Sequence, residues 1–136
     1  MTKMRLVSLA AVLVLATALA ACGGQPAGPT RLSVEMTDFA FTPDTFTVPA
    51  GGEVEITLTN SGSVEHEFVV MKAGYQATTP FDADDEPQVF WEGEVGAGET
   101  ASFTFTAPSD PGEYEIVCGL QGHLESGMQG TLTVTE

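Results

Sequence analysis

The segment EVEITLTN, residues 53–60, alternates polar and apolar side chains along its whole length. Its apolar residues fall on one face and its charged or hydroxyl residues on the other, which is typical of a strand with one buried face. Turn-forming sequences flank it, PAGG at 49–52 and NSGS at 60–63. The segment therefore predicts a β-strand, and similar strands are expected on either side of it.

Short apolar stretches of the same kind recur on both sides, separated by Gly, Pro, Asn and Asp. They are residues 32–36, 39–41, 46–48, 66–71, 103–105, 114–118 and 131–135. Seven or eight short strands at this spacing predict an all-β domain over residues 32–136, a sandwich of two sheets. Residues 72–98 are the least regular part, and we expect a long surface excursion there with a short strand at 89–92.

The acidic run DADDE, residues 82–86, lies in this excursion. Two interpretations stay open at the level of the sequence. The run is either a solvated loop or a docking patch for a basic partner.

The first 21 residues are predicted to be a signal peptide. Lys3 and Arg5 precede an unbroken apolar or small stretch, LVSLAAVLVLATALAA, which is shorter than a typical membrane-spanning helix. The sequence LAACG around Cys22 resembles the bacterial lipoprotein processing box, in which the Cys is lipidated and becomes the first mature residue. We therefore expect an exported lipoprotein, anchored to the membrane on its periplasmic or extracellular face, with a flexible tether over residues 22–31. Ordinary secretion with cleavage near Ala21 is the alternative.

Composition excludes several classes of function. The 136 residues allow one domain, and four Lys and Arg stand against nineteen Asp and Glu, a net charge of −15. Such a chain has no clustered basic surface for nucleic acid or for anionic lipid headgroups. Two His and two Cys are also too few for a Cys-rich zinc module or a multi-bridge disulfide scaffold.

The candidate chemistry lies in the segment YEIVCGLQGHLESGM, residues 114–128. Cys118 ends a predicted strand, and His123 and Met128 follow it before the last strand. The other histidine of the chain, His66, begins the strand predicted at 66–71, which a sandwich can bring beside Cys118. One thiolate, two imidazoles and a thioether suit one copper ion in a trigonal site with a long axial Met. We therefore predict copper on His66, Cys118, His123 and Met128.

Each of these residues also has a plainer interpretation. Cys118 alone is compatible with an inert buried thiol or with a Cys22–Cys118 disulfide. His66 alone is compatible with a strand histidine whose hydrogen bonds are satisfied, His123 with an exposed loop residue, and Met128 with core packing. The combination of residue types and spacing favours the metal site.

Residues 113–134 resemble the C-terminal copper loop of the small blue copper proteins, the cupredoxins of the plastocyanin and azurin type. The Cys-x4-His-x4-Met spacing, followed by Gly130 and the last strand, is most similar to that of auracyanin-like members. His66, after the turn at 60–62, matches the upstream histidine ligand. The resemblance implies a Greek-key β-sandwich that carries one electron on a type 1 copper.

Three positions depart from the family pattern. Glu67 stands where plastocyanin and azurin have Asn after the upstream histidine. Gln121 and Gly122 replace the frequent Pro–Gly before the loop histidine, and Gly119 after Cys118 has no hydroxyl to brace the loop.

The resemblance and the predicted lipid anchor together imply a monomeric, membrane-tethered electron carrier. Its partner would be a redox protein such as a cytochrome or an oxidase, with a basic surface. An apolar patch near His123 is expected to dock this partner and nearby acids to steer it. The patch residues are Gly62, Leu120 and Leu124, and the acids are Glu65, Glu67 and Glu125.

A copper-binding lipoprotein for copper delivery or storage, in oxidase assembly or homeostasis, is the alternative and would use the same four ligands. An enzyme is not expected. Copper oxidases and nitrite reductases need further histidines, and a binuclear copper centre needs a second Cys in the loop.

Overall fold

The computed structural model describes residues 28–136, which form nine strands in two sheets. The strands are β1 Thr30–Thr37, β2 Ala40–Thr42, β3 Thr45–Pro49, β4 Glu53–Asn60, β5 His66–Met71, β6 Val89–Val95, β7 Thr100–Thr106, β8 Gly112–Val117 and β9 Gln129–Thr135. Among residues 28–136, one 3-10 turn is present, at Glu86–Gln88. The predicted signal peptide, the predicted lipidation site at Cys22 and the part of the predicted tether up to residue 27 lie outside the described residues. Within residues 28–136, no helix has the length and apolar character needed to cross a membrane.

One sheet has four strands in the order β2-β1-β4-β7, and the other has five in the order β3-β9-β8-β5-β6. The pairs β1–β4 and β3–β9 are parallel, and the remaining pairs are antiparallel. The predicted all-β Greek-key sandwich is confirmed. The described residues contain nine strands rather than seven or eight because, beside the eight apolar segments, the excursion contributes Val89–Val95, which pairs with β5.

The main core lies between the two sheets and follows the alternation seen in the sequence. In β4 the apolar side chains Val54, Ile56 and Leu58 are fully buried, whereas Thr57 on the opposite face bonds Ser102 at the surface. Complete burial of such an apolar side chain stabilises a fold by about 1.5–3 kcal/mol. The pattern in residues 53–60 therefore defines which face of the sheet points inward.

The segment between β5 and β6 covers a second, smaller core on the outer face of the five-stranded sheet. The buried members of this core are Val69, Met71, Val117 and Leu124, and the residues packed on them are Tyr75, Ala77, Phe81 and Val89. The predicted surface excursion is borne out over residues 72–88, where most side chains are exposed, although its apolar members cover this second core. The strand that follows is longer than the four residues expected at 89–92, because it runs to Val95.

Asp85 is the internal anchor of this segment. Its side chain is fully buried and its carboxylate accepts four hydrogen bonds of 2.8–2.9 Å, from the Tyr75 hydroxyl, the Thr78 N–H and hydroxyl, and the Asp82 N–H. Burial opposes ionisation, but these hydrogen bonds hold the pKa of Asp85 below its ordinary value. The acidic run is thus not uniformly solvated.

Strand direction brings the predicted ligand segments to one end of the sandwich. β1 and β4 run parallel and end together, with Met36 opposite Asn60, and β5 begins after the loop that follows β4. β8 ends and β9 begins side by side, with Val117 opposite Gln129. The β4–β5 loop and the β8–β9 loop are therefore neighbours.

Candidate metal centre

His66 is placed by the loop between β4 and β5, which the side chain of Asn60 shapes. The buried Asn60 amide donates to the carbonyl oxygens of Val64 and Val95, both at 2.8 Å, and its oxygen accepts from the Gly62 N–H at 2.9 Å. The turn expected from the sequence is therefore held by a residue of that turn. It delivers a fully buried His66 to the start of β5.

The β8–β9 loop carries the other three residues and closes on itself through backbone hydrogen bonds. The Cys118 N–H donates to the Met128 carbonyl at 3.1 Å, and the Met128 N–H donates to the His123 carbonyl at 3.0 Å. Leu124 secures the loop from the other side, because it is only 5% exposed within the second core. The loop thus holds Cys118, His123 and Met128 close together.

Three donor atoms converge in this pocket. Cys118 Sγ lies 3.2 Å from His123 Nδ1 and 4.0 Å from His66 Nδ1, and the two Nδ1 atoms are 3.2 Å apart. Cys118 and His66 are fully buried, and His123 is 8% exposed. Met128 is also fully buried and belongs to the same core cluster as Cys118. The residues predicted from the sequence therefore meet at one end of the fold.

The pocket favours neutral forms of its donors as long as only protein surrounds them. Burial raises the pKa of the Cys118 thiol, although the N–H groups of Glu67 and Leu120 act against this increase. Burial also lowers the pKa of His123, as does the neighbouring His66. Metal coordination requires neutral imidazoles and a thiolate, and a cation in the pocket would stabilise that thiolate.

Two departures from the family pattern, Glu67 and Gly119, are structurally linked. A Cβ atom on residue 119 would lie 2.7 Å from Glu67 Oε2 and 3.1 Å from the ring of Phe81. A side chain at 119 would therefore displace the Glu67 carboxylate, which packs over the backbone there. Burial, followed by the carboxylates of Glu92 and Glu94, raises the pKa of Glu67 to about 7.

The turn between β1 and β2 contributes two residues that sequence reasoning did not assign to the site. Asp38 Oδ1 lies 2.9 Å from His66 Nε2, and the ring of Phe39 packs edge-on against His123 with centroids 4.9 Å apart. Hydrogen bonds from Ser63 and from His66 outweigh the effect of burial and lower the pKa of Asp38 to about 2. The Asp38–Phe39 pair between two predicted strands is the available signal of this turn. The strand predicted at 39–41 includes Phe39, however, whereas the structure places Phe39 in the turn.

The expected apolar patch near His123 has a different composition. Leu124 is buried, so its assignment to an exposed patch is wrong, and Leu120 is half-buried against the main core. The large apolar side chains exposed in this region are Phe39, at 42%, and Val64, at 44%. They belong to two loops that the Asp38–Ser63 hydrogen bonds join.

The donor set fits copper. A buried thiolate with two imidazole Nδ1 atoms and a nearby thioether is the set of a trigonal site with a weak axial ligand, and soft sulfur donors suit Cu(I) while imidazole suits both oxidation states. His66 Nε2 is engaged by Asp38, so Nδ1 is the nitrogen that it presents to the cluster. The fold and the pocket together define the class of type 1 copper proteins.

A family model described as "Cupredoxin-like domain" matches residues 6–134, and the chain belongs to this family. Curated relatives include Auracyanin-B of Chloroflexus aurantiacus, 32% identical over 112 residues, which cover 71% of this chain and 47% of that protein. Auracyanin-A of the same organism is 30% identical, with 96% of this chain and 97% of that protein covered. The chain therefore spans about half the length of Auracyanin-B but nearly all of Auracyanin-A.

A third relative is the copper-resistant cuproprotein CopI of Rubrivivax gelatinosus, 33% identical, with 69% of this chain and 59% of that protein covered. Among solved structures, that of auracyanin from Roseiflexus castenholzii has a TM-score of 0.64 and 26% identity, covering 81% of this chain and all of that one. The structure of Auracyanin A, a "blue" copper protein from Chloroflexus aurantiacus, has a TM-score of 0.65 and 27% identity, covering 79% of this chain and all of that one. The resemblance to blue copper proteins of the auracyanin kind is confirmed.

Proposed function

We propose that this protein carries single electrons on one type 1 copper ion. His66, Cys118 and His123 are the three strong ligands, and Met128 is the long axial ligand. The observation that carries the proposal is the convergence of His66 Nδ1, Cys118 Sγ and His123 Nδ1, all within 4.8 Å of one another, in a buried pocket. Similarity to the auracyanins supports it.

When bound, copper supplies the one-electron couple, and the protein keeps the positions of the ligand atoms fixed. His66 and Cys118 are attached to paired strands, and hydrogen bonds within the loop restrain His123 and Met128. The Glu67 N–H, 3.4 Å from Cys118 Sγ, stabilises negative charge on the sulfur. Because burial excludes water and the backbone is fixed, the donors move little between oxidation states, which favours rapid electron exchange.

His123 is the proposed exit for the electron. It is the one member of the donor cluster with measurable exposure, 8%, whereas His66, Cys118 and Met128 are fully buried. Phe39 and Val64 supply exposed apolar surface in the same region. A redox partner that packs there would approach an imidazole ligand edge.

The setting of this activity is proposed from the sequence. Lipidated Cys22 would anchor a monomeric domain to the membrane outside the cytoplasm, with residues 22–31 as a tether. The negative charge of the domain favours a basic cytochrome or oxidase as partner. We propose no enzymatic activity, since both histidines of the chain are used as ligands of one metal.

Copper handling is the second candidate function. Its specific support is the similarity to the copper-resistant cuproprotein CopI. The same four ligands would serve it, but the metal would be passed on rather than retained. Transfer of Cu(I) to a chelator therefore separates the two functions.

The test is a visible and EPR spectrum of the full chain loaded with Cu(II). We expect an intense blue band and a narrow copper hyperfine splitting, both lost in Cys118→Ser and both retained in Glu125→Gln, which changes an exposed residue of the same loop. A pale spectrum typical of ordinary Cu(II) would contradict the electron-carrier function. Rapid loss of Cu(I) to a chelator would favour copper handling.

A further inference from the structure

The turn between β1 and β2 places a carboxylate behind His66. Asp38 Oδ1 is 2.9 Å from His66 Nε2, while Nδ1, on the other side of the ring, faces Cys118 and His123. His66 is fully buried, so the carboxylate is the polar group that satisfies Nε2. The two nitrogens of this imidazole therefore serve different partners.

The carboxylate is held in place independently of the histidine. The Ser63 N–H lies 3.0 and 3.1 Å from its two oxygens, and the Ser63 hydroxyl donates a further hydrogen bond to Oδ2. Asp38 and Ser63 belong to different loops, so these bonds join the β1–β2 turn to the loop that carries His66. The orientation of Asp38 is thus set by the loop contact as well as by the imidazole.

The glycine before Ser63 leaves room for this arrangement. A Cβ atom at position 62 would collide with Asp38 Oδ1 and would lie 2.7 Å from His66 Nε2. Any larger residue at position 62 would displace the Asp38 carboxylate or the His66 imidazole. The local sequence of the loop is therefore matched to the Asp38–His66 hydrogen bond.

We propose that Asp38 is a positioning residue for the copper centre, an inference that rests on the proposed function. Its carboxylate accepts a hydrogen bond from His66 Nε2–H, which fixes the tautomer that directs the Nδ1 lone pair at the metal. Such carboxylate–histidine–metal arrangements orient the ring and increase its basicity as a ligand. The nearby negative charge also favours Cu(II) over Cu(I), so Asp38 lowers the reduction potential.

The test compares Asp38→Asn with Glu35→Gln in the full chain. The asparagine introduced by Asp38→Asn keeps an oxygen that accepts from Nε2–H, so the substitution removes mainly the charge. Glu35 lies in β1, three residues before Asp38, and accepts a hydrogen bond of 2.6 Å from Ser61 in the loop that carries His66, but none from His66. Glu35→Gln removes one negative charge, keeps an oxygen that can accept from Ser61, and leaves the hydrogen bonds of His66 untouched.

We expect Asp38→Asn to weaken Cu(II) binding about 10- to 100-fold and to raise the reduction potential, whereas Glu35→Gln leaves both close to wild type. A tenfold loss of Cu(II) affinity relative to Cu(I) corresponds to a rise of about 59 mV. Equal changes in the two variants would overturn the proposal, because the effect would then be one of overall charge or loop stability.

A second readout does not depend on copper. Nitrogen-15 NMR of the metal-free full chain should show the Nε2–H tautomer of His66 in wild type and a loss of that preference in Asp38→Ala. An unchanged tautomer would overturn the positioning role. If wild type failed to give a blue copper spectrum while the tautomer depended on Asp38, the proposed function alone would fail.

Discussion

At the scale of single residues, His66 divides its two ring nitrogens between two tasks. Nδ1 faces the sulfur and the second imidazole, and Nε2 faces a carboxylate. This division requires one tautomer, and neither a lysine nor a carboxylate could satisfy both contacts at this position. The hydrogen bond to Asp38 thus determines which nitrogen His66 presents to the donor cluster.

Met128 provides a prediction at this scale. Met128→Leu preserves volume but removes the thioether, so copper should stay on the three strong ligands and the blue band should persist. The reduction potential should rise, because Cu(II) gains more than Cu(I) from an added donor. Potentiometric titration measures the shift, and Met71→Leu is the matched control, since Met71 is equally buried but belongs to the second core. A potential unchanged in Met128→Leu would remove this residue from the ligand set.

At the scale of elements, the segment between β5 and β6 behaves as a structural layer rather than as a free loop. It lays Tyr75, Ala77 and Phe81 on the outer face of the five-stranded sheet, and Phe81 also contacts the position of Gly119 beside the donor loop. Four hydrogen bonds to Asp85 give the segment its internal order. Its stability should therefore depend on one buried acid.

Asp85→Asn should lower the free energy of unfolding by about 1–3 kcal/mol. The amide nitrogen that replaces one oxygen cannot accept hydrogen bonds, so a part-buried donor such as the Asp82 N–H loses its acceptor. Urea unfolding at pH 7 measures the change, and Asp84→Asn serves as the control because Asp84 is exposed in the same run. Equal effects in the two variants would mean that Asp85 has no special role.

The same carboxylate predicts an acid sensitivity. The pKa of Asp85 is lower in the folded protein than its ordinary value of 3.8. Its contribution to stability is therefore complete above that ordinary value and is lost as the pH falls through the folded pKa. The difference in unfolding free energy between wild type and Asp85→Asn should be constant from pH 7 to pH 5 and should decrease below about pH 4. Urea unfolding at a series of pH values measures it, and a difference that grew on acidification would contradict the predicted sign.

At the scale of the whole molecule, negative charge is almost uncompensated. Residues 28–136 contain all nineteen acids of the chain and two basic residues, Arg31 and Lys72. Arg31 is paired with Glu55 at 2.8 Å, and the Lys72 ammonium donates to the Pro87 carbonyl. The electrostatic potential around the domain is therefore negative. Glu65 and Glu125 contribute to it at the end of the sandwich that holds the donor cluster.

This charge predicts that electron transfer to a basic c-type cytochrome slows as ionic strength rises, because salt screens long-range attraction. Stopped-flow mixing across a series of NaCl concentrations measures the rate. Glu65→Gln, near the donor cluster, should reduce the rate at low salt more than Glu53→Gln, at the opposite end of β4. A rate independent of salt would remove the steering role of these acids.

Much of this protein was readable from the sequence because the decisive patterns are local. Alternation in residues 53–60 reports a buried face directly, since neighbouring side chains of a strand point to opposite sides. Cys118, His123 and Met128 lie within eleven consecutive residues, so their spacing in the sequence indicates that they are donors to one metal. His66 was identifiable because the chain has no other histidine to complete that set.

Tertiary structure alone decided the contacts between residues far apart in sequence. Asp38 meets His66 because β1 and β4 are parallel and end together, and no periodicity in either segment reports that pairing. Glu67 packs over Gly119 because β5 and β8 are adjacent. The two departures from the family pattern at these positions are therefore in contact in the structure. Leu124 is buried because a distant segment covers the sheet beneath it. Local sequence determines which side chains a strand or loop presents, whereas strand pairing and layer packing determine what those side chains touch.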